Sequence, residues 1–225
     1  MKPPRLIPIL LACAVAIPAA GGQQIVAEED FSHGMGRWWA EGGKNVRVEH
    51  GRLYVDANDP DTPGGGVATV WYKSPHPGDF ELEVDAHVIS SAIGANNINL
   101  FFSYSDPAGT PLEETRAARR NAEYNLYHRL NGYIVTFLND AGRARVRIRR
   151  NPGFHLLNET FHGECRQGVT YHLRVTKLKG EISFWVDGER LLSAQDPHPL
   201  EGGLLGLRTF RTSLWWDNLR VRSLD

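Results

Sequence analysis

The sequence has 225 residues, a net charge of −1 and only two cysteines, Cys13 and Cys165. A chain of this length can fill one hydrophobic core and is too short for two ordinary domains. The slightly negative charge argues against nucleic acid as a partner, because nucleic-acid-binding surfaces are usually strongly basic. We therefore expect a single domain that is stabilised by its core and not by disulfides.

The first 20 residues have the order of a secretory signal peptide. Positive residues precede an apolar run over residues 6–16, which is too short to span a bilayer, and small residues end at Ala20. We expect cleavage near Ala20, which leaves residues 21–225 as a secreted or periplasmic domain with no membrane span. The alternative is a lipoprotein with lipid on Cys13, but the apolar run continues beyond that residue.

Short runs in which apolar and polar residues alternate dominate the rest of the chain. The clearest is Phe80–Val88, whose apolar residues share one side of a strand. In chain order, the predicted strands cover residues 46–48, 53–55, 80–88, 98–104, 133–138, 145–149, 171–177, 182–186, 204–210 and 215–221. Gly, Pro, Asn or Asp separates the runs at intervals of about ten residues. This pattern predicts an all-β chain folded as a two-sheet antiparallel sandwich of the jelly-roll type.

The best helical pattern lies at Leu112–Ala122. Two glutamates at its start and two arginines at its end follow the preference of the helix dipole. We expect this segment to be an excursion between two strands. The pattern leaves open whether the excursion covers part of a groove as a lid.

The two ends of the predicted domain resemble known sandwich families. Asp30-Phe31-Ser32 and Trp38-Trp39 begin it, and a hairpin over residues 171–190, with an Asp187-Gly188 turn, precedes its last two strands. This succession is similar to concanavalin A-like, laminin-G-like and galectin-like sandwiches. That fold includes lectins, glycosidases and lyases, so the resemblance implies an architecture and no single activity.

A closer resemblance lies in the middle of the chain. Glu123-Tyr124, residues 131–137 and the segment Arg147–Leu156 resemble an uncharacterised bacterial family with a galectin-like sandwich. The sequence Gly153-Phe154-His155-Leu156 after a basic strand is the most specific mark of that family. Its members often occur beside systems that degrade pectin or other acidic polysaccharides. The resemblance therefore implies an acidic-glycan context but supplies no chemistry.

A compact basic region points to an anionic ligand on the basis of charge. Residues 116–150 contain nine arginines and only two acidic residues. Within this region Arg143, Arg145, Arg147 and Arg149 are spaced by two, so one face of a strand would carry all four over roughly 20 Å. Guanidinium groups pair bidentately with carboxylates, so this arginine row could bind an acidic polysaccharide or oligosaccharide.

The acidic face of the 80–88 strand supports two alternatives. Glu81, Glu83 and Asp85 could pair with the arginine row as an ordinary surface, in which case the ion pairs would add little stability. The same carboxylates, with neighbours roughly 6.6 Å apart along the strand, could instead serve a glycosidase, which needs two carboxylates about 5–10 Å apart.

Histidines and tyrosines near the arginines could support β-elimination from a uronate. A polysaccharide lyase needs a donor that neutralises the carboxylate, a base for the C5 proton and an acid for the leaving oxygen. The residues predicted for these roles are, in that order, Arg149 or Arg147, His155 and Tyr133, with His128 and Tyr124 as substitutes. The residues predicted to bind substrate are Arg143, Arg145, Asn151 and Trp185, although Asn before Pro is also typical of a turn.

The predicted function is therefore that of a secreted polysaccharide lyase, and the alternatives are a non-catalytic carbohydrate-binding module and a glycoside hydrolase. No cofactor is required, and the absence of His-x-x-x-His and Cys-x-x-Cys patterns argues against zinc. A structural calcium could be held by Asp30 and Asp217, although Asp217 could equally be a turn residue. We expect a monomer in which Cys165 is a buried structural thiol.

Overall fold

The computed structural model describes residues 24–59 and 61–225. The predicted signal peptide at residues 1–20 and the alternative lipid site at Cys13 lie outside the described residues. Nearly all regular structure in the described part is β-strand, arranged as two antiparallel sheets packed face to face. The prediction of an all-β sandwich is confirmed.

The first sheet has eight strands. They are β1 (Ile25–Glu29), β3 (Asn45–Glu49), β4 (Arg52–Asp56), β6 (Phe80–Ser91), β11 (Thr170–Leu178), β12 (Glu181–Val186), β13 (Glu189–Gln195) and β15 (Thr212–Ser223). Their spatial order is β13-β12-β11-β6-β15-β4-β3, and β1 pairs with β15. The long strands β6 and β15 lie at the centre of this sheet.

The second sheet has seven strands. They are β2 (Trp38–Gly42), β5 (Val67–Tyr72), β7 (Ile98–Ser105), β8 (Asn131–Asp140), β9 (Arg143–Asn151), β10 (His155–Phe161) and β14 (Leu204–Phe210). Their spatial order is β10-β9-β8-β7-β14-β5-β2. This sheet positions the candidate site, because a row of polar side chains crosses the face that points away from the other sheet.

The main core fills the space between the sheets. Alternation places Leu82 and Val84 of β6 on one side of this core, and Val146 and Ile148 of β9 on the other, all fully buried. Burying a side chain of this kind stabilises the fold by roughly 1.5–3 kcal/mol. The strict alternation in both strands also fixes which side chains point outward from the sandwich.

A second apolar cluster lies on the outer face of the second sheet, beneath residues 106–130. This covering segment connects β7 to β8 and contains a 3₁₀ helix, Arg116–Arg119, and the short α-helix α1, Tyr124–Tyr127. The prediction that this segment is an excursion between two strands is confirmed. The prediction of a helix over residues 112–122 is wrong. The reason is that Arg119 turns inward and donates to the carbonyl oxygen of Leu112 at 2.6 Å, which curls the segment into turns.

Neither of the two helices in residues 24–59 and 61–225 has the length and apolar character needed to cross a bilayer.

Candidate functional site

A continuous row of polar side chains crosses the outer face of the second sheet. Each member lies directly opposite the next in the strand register. In spatial order this polar row consists of Glu41, Thr69, Arg208, Asn99, Thr136, Arg147 and Glu159. Neighbouring strands lie about 4.8 Å apart, so three strand spacings separate the backbones of Arg208 and Arg147 by about 14 Å. Long arginine side chains can reach a common ligand across that distance.

Glu41 anchors the covering segment to the sheet. Its carboxylate is 2% exposed and accepts hydrogen bonds from Arg119 Nε at 3.1 Å, Trp71 Nε1 at 3.0 Å and the Tyr127 hydroxyl at 2.6 Å. A buried carboxylate is tolerated only when its charge is paired and its lone pairs are occupied, as they are here. These bonds hold residues 106–130 in one place over the sheet.

Arg208 is a second buried cation, next to the Glu41 cluster. It is 3% exposed, donates to the Thr69 hydroxyl at 2.7 Å and to the Ala122 carbonyl at 3.0 Å, and lies 4.7 Å from the Tyr124 ring centre. Burial lowers its pKa, but a guanidinium remains charged in proteins. Among the described residues no carboxylate lies within ion-pair distance of it, and the more distant Glu41 offsets its charge only in part.

Arg208 and Arg147 both line a cleft of about 340 Å³ at one end of the sheet face. The other residues of this arginine cleft are Ile93, Ala95, Asn97, Asn99, Tyr124, Leu138 and Phe210. The cleft thus combines two cations and two amides with apolar side chains. None of the described residues that line it is acidic, which distinguishes it from the ion-paired surface of the first sheet.

Arg147 also has no acidic partner within ion-pair distance among the described residues. Its Nε is buried without a hydrogen bond, and its pKa is lowered by burial and by the flanking charges of Arg145 and Arg149. Arg145, two residues away, is by contrast neutralised by Glu159 at 2.6 Å and Asp140 at 3.3 Å. Arg147 thus lacks the ion pairs that neutralise the neighbouring Arg145.

The predicted arginine row exists. The alternative in which Glu81, Glu83 and Asp85 pair with this row is wrong. Ala144, Val146 and Ile148 point into the core, which leaves the intervening arginines on the outer face of β9. The acidic strand β6 belongs to the other sheet. There Arg222 donates to Glu81 at 2.6 Å and to Glu83 at 2.7 Å.

The carboxylates suggested for a glycosidase are therefore engaged in ion pairs. Glu81 and Glu83 share Arg222, and Asp85 lies 2.8 Å from His172 Nδ1. Burial raises the pKa of Glu83, but Arg222 and His172 lower it by more, so the group is ionised at neutral pH. This arrangement supplies no protonated acid beside a free base.

Beside the arginine cleft, the structure brings together the two predicted substitutes for acid and base. The Tyr124 and His128 rings make an edge-to-face contact at 4.6 Å, and His128 stacks on Phe154 at 3.8 Å. Arg149 covers the same Phe154 ring at 4.1 Å and donates to its carbonyl oxygen. Burial, with help from Arg208 and Arg149, lowers the pKa of His128 to about 4, so this imidazole is neutral at pH 7.

The residues first predicted as base and acid do not meet. Tyr133 points into the main core, donates to Asp196 at 2.6 Å and accepts from the Leu200 amide, and burial raises its pKa. It therefore lies on the opposite face of the sheet from Arg147. His155 is exposed on edge strand β10, outside the arginine cleft.

Three predicted substrate-binding residues lie outside the arginine cleft. Asn151 is fully buried, donates to the Tyr104 hydroxyl at 2.9 Å and accepts from the Phe154 amide. The bond from Phe154 is typical of the turn that the sequence offered as the alternative for this residue. Trp185 lies on the first sheet beneath the Arg174 guanidinium, 4.1 Å from the ring centre. Arg143 is exposed and stacks over Phe161 at 4.9 Å.

The two aspartates considered for calcium have local partners. Asp30 accepts from Ser32 at 2.7 Å, and Asp217 lies 3.7 Å from Arg52. Within residues 24–59 and 61–225, no three His, Cys, Asp or Glu side chains converge in a way that could hold a metal ion.

A second cleft of about 360 Å³, the apolar cleft, lies at the other end of the covered sheet face. Trp39, Tyr104, Leu112 and Leu204 contribute to its lining, and it shares no residue with the arginine cleft. The buried cluster under the covering segment separates the two. The outer face of the second sheet is thus divided into a cationic end and an apolar end.

Sequence reasoning missed three polar residues of the arginine cleft, namely Asn97, Asn99 and Arg208. Two signals were present in the sequence. Arg208 interrupts the apolar run 204–210, and the two asparagines flank Ile98 in an alternating strand. Neither signal shows that Arg208 and the two asparagines lie side by side. Only the pairing of their strands in the structure shows it.

Solved structures of known proteins share this fold. A protein of unknown function with a galectin-like fold from Bacillus subtilis is 18% identical, with a TM-score of 0.74 over 88% of this chain and 96% of that one. The carbohydrate-binding module CBM66 from Bacillus subtilis is 16% identical, with a TM-score of 0.54 over 84% and 97% of the two chains. The β-glucanase of Bacillus licheniformis is 13% identical, with a TM-score of 0.58 over 88% and 98%.

A search of curated proteins found no significant match. The model of one family does match, over residues 61–219, which include the arginine cleft and most of both sheets. The chain therefore belongs to the family described as Domain of unknown function (DUF6250).

Proposed function

We propose that this protein binds an acidic polysaccharide or oligosaccharide by holding a uronate carboxylate in the arginine cleft. The observation that carries the proposal is that Arg147 and Arg208 face one cleft and that, among the described residues, no carboxylate lies within ion-pair distance of either. A carboxylate between them would supply the missing counter-charge. Charge-assisted hydrogen bonds to guanidinium are also roughly twice as strong as neutral ones.

The remaining surface of the cleft suits a sugar ring. Ile93 and Phe210 are 53% and 43% exposed at its edge, and Leu138 adds a further apolar contact. A pyranose has one face of C–H bonds, which packs on apolar or aromatic side chains while its polar groups bond elsewhere. CBM66 and β-glucanase have the same fold, which supports a carbohydrate as the ligand.

The proposal is tested by calorimetric titration of residues 21–225 with pectate, alginate and a glucuronan, and with neutral glucan and mannan. We expect binding to at least one uronate polymer, weaker binding at high salt, and no binding to the neutral polymers. Arg147→Gln should lower the affinity about 10- to 100-fold, whereas Arg143→Gln, on the same strand but outside the cleft, should leave it unchanged. Equal affinity of the Arg147 variant, or no uronate binding at all, would refute the proposal.

A second candidate function is cleavage of the bound uronate by β-elimination. The contact between Tyr124 and His128 favours it, because a neutral imidazole can accept a proton and a phenol can donate one. Burial raises the pKa of Tyr124, and the guanidiniums of Arg208 and Arg147 partly offset that rise. Tyr124 therefore carries its proton at neutral pH, as a general acid must.

Absorbance at 235 nm, which reports new unsaturated uronate ends, separates cleavage from binding. A lyase should produce this signal on a polymer that it binds, and Tyr124→Phe or His128→Asn should abolish the signal while binding persists. His162→Gln, which removes an exposed histidine away from the cleft, should leave the rate unchanged. Binding without any absorbance change would leave a non-catalytic carbohydrate-binding protein.

We further propose that the protein acts outside the cytoplasm as a monomer, after cleavage near Ala20. The mass of the mature protein tests the cleavage site. Its elution volume in size-exclusion chromatography tests the monomeric state.

A further inference from the structure

We propose that Asn97 is a third ligand-contacting donor of the arginine cleft, and that Thr136 and Asn99 are positioning residues that fix the direction of its amide. This inference rests on the proposed function, because it concerns the same ligand. It adds a hydrogen-bond specificity that the charges of Arg147 and Arg208 do not provide.

A chain of buried hydrogen bonds leads to Asn97. The Thr136 hydroxyl donates to Asn99 Oδ1 at 2.7 Å, and Asn99 Nδ2 donates in turn to Asn97 Oδ1 at 2.5 Å. All three side chains are buried, and Asn99 and Thr136 are neighbours in the polar row. Buried networks of this kind, when fully bonded, hold their members in one arrangement.

The main chain of Asn97 is fixed as well. Its amide donates to the Thr212 hydroxyl at 3.0 Å, and its carbonyl oxygen accepts from the Thr209 hydroxyl at 2.6 Å. Both threonines are fully buried. The side chain of Asn97 therefore starts from a rigid backbone position on the floor of the cleft.

These bonds determine which end of the Asn97 amide is free. In the structure Asn99 Oδ1 faces the Thr136 hydroxyl, which donates to it, and the Nδ2 end of Asn99 faces Asn97 Oδ1. The oxygen of Asn97 is then occupied, whereas its Nδ2 bonds to no other group in the described part of the chain. Because Asn97 lines the cleft, this N–H group is available to a ligand oxygen.

The consequence is a cleft floor that offers hydrogen-bond donors and no carboxylate. Two guanidiniums can hold the uronate carboxylate, and Asn97 can donate to a second acceptor on the same sugar, such as a ring or hydroxyl oxygen. A ligand that presents an ammonium or another cation would meet the positive charges of Arg147 and Arg208, and we expect it to be rejected.

The test uses residues 21–225 and oligosaccharides of galacturonate, glucuronate, mannuronate and guluronate. Asn97→Asp is nearly isosteric but replaces the donor with a negative acceptor, so we expect a loss of affinity of about 100-fold or more for whichever uronate binds. Thr136→Val removes the donor that orients Asn99 and should cost about 3- to 30-fold. Thr136→Ser keeps the hydroxyl and should bind within about twofold of the unaltered protein. If binding depended on the threonine methyl group instead, this variant would lose affinity.

Thermal melting of each variant shows whether the fold is retained. If no uronate binds the unaltered protein, the proposed function fails and this inference fails with it. If Arg147→Gln loses affinity but folded Asn97→Asp and Thr136→Val bind normally, the proposed function stands and the role of Asn97 is refuted. A Thr136→Ser variant that binds as poorly as Thr136→Val would also refute the positioning role.

Discussion

The Glu41 carboxylate and the Arg119 guanidinium form a buried ion pair at 3.0 Å that joins strand β2 to the covering segment, 78 residues later in the chain. Both side chains are almost completely shielded from water. Removing one partner of such a pair leaves the other charge buried and unpaired, which costs about 3–5 kcal/mol.

We therefore expect Glu41→Gln to lower the free energy of unfolding by about 3–5 kcal/mol in urea denaturation. Glu49→Gln, which breaks the exposed pair with Arg47, should cost less than about 1 kcal/mol. The double variant Glu41→Gln/Arg119→Met should recover much of the loss because it leaves no unpaired charge. A loss from Glu41→Gln no greater than that from Glu49→Gln would show that the pair does not anchor the segment.

Arg147 should be dispensable for stability, in contrast to Glu41. Its Nε is buried without a partner, and neighbouring arginines repel its charge. We expect Arg147→Met to leave the free energy of unfolding unchanged or to raise it by up to about 2 kcal/mol. The matched variant Arg145→Met, which loses Glu159, should lower it by about 0.2–1 kcal/mol. If Arg147→Met destabilised the protein by more than Arg145→Met, Arg147 would have a structural role.

The fold should lose stability in mild acid because of His76. This buried imidazole bonds to the Pro77 carbonyl at 2.7 Å and accepts from the Ser103 amide at 2.9 Å. Burial, opposed by the Pro77 bond and assisted by Lys177, lowers its pKa to about 4. Since the folded pKa lies below the unfolded value, the stabilisation is complete above about pH 6.5 and declines as the pH falls towards 4.

The measurable consequence is a contribution from His76 of about 2 kcal/mol to the loss in the free energy of unfolding between pH 7.5 and pH 5. Urea denaturation in this range avoids the titration of paired carboxylates, whose pKa values lie lower. His76→Gln should remove this contribution, and the pH dependence that remains should come from His128, whose pKa burial also lowers to about 4. His162→Gln, at the surface, should leave the pH dependence unchanged. Identical pH profiles for the His76 variant and the unaltered protein would rule out this origin.

Cys165 should be inert in the folded protein. Its thiol is buried, contacts the Asn96 carbonyl oxygen at 3.1 Å, and has its pKa raised to about 12 by burial. In residues 21–225, a disulfide reagent at pH 8 should react with it at least about 100-fold more slowly than with free cysteine. Reaction should become fast in denaturant, and fast reaction under native conditions would contradict the buried position.

The face of each strand could be predicted from the sequence, but its neighbours could not. Alternation correctly sends Val146 inward and Arg147 outward, because it depends only on local geometry. The same pattern carries no information on register, so the acidic strand β6 was equally compatible with lying beside β9. The true neighbours of Arg147, Thr136 and Glu159, come from β8 and β10.

Strands buried on both faces were also missed. In β5, residues 67–72 are almost all buried because the covering segment packs on the side that would otherwise face water. Trp38 and Trp39 of β2 are both buried for the same reason, so neither strand alternates clearly. The absence of alternation at β2 and β5 thus marks the place where residues 106–130 lie over the sheet.

The division of the sheet face into two clefts has a consequence for the shape of the ligand. A polysaccharide that ran straight across this face would collide with the buried rings of Trp71, Phe101 and Tyr127 and with the chain above them. A sugar bound in the arginine cleft as proposed would reach solvent on the side of the exposed Ile93 and Phe210. This geometry suits the tip of a glycan or a short side branch better than the middle of a long backbone, so short oligosaccharides should retain most of the affinity of the polymer.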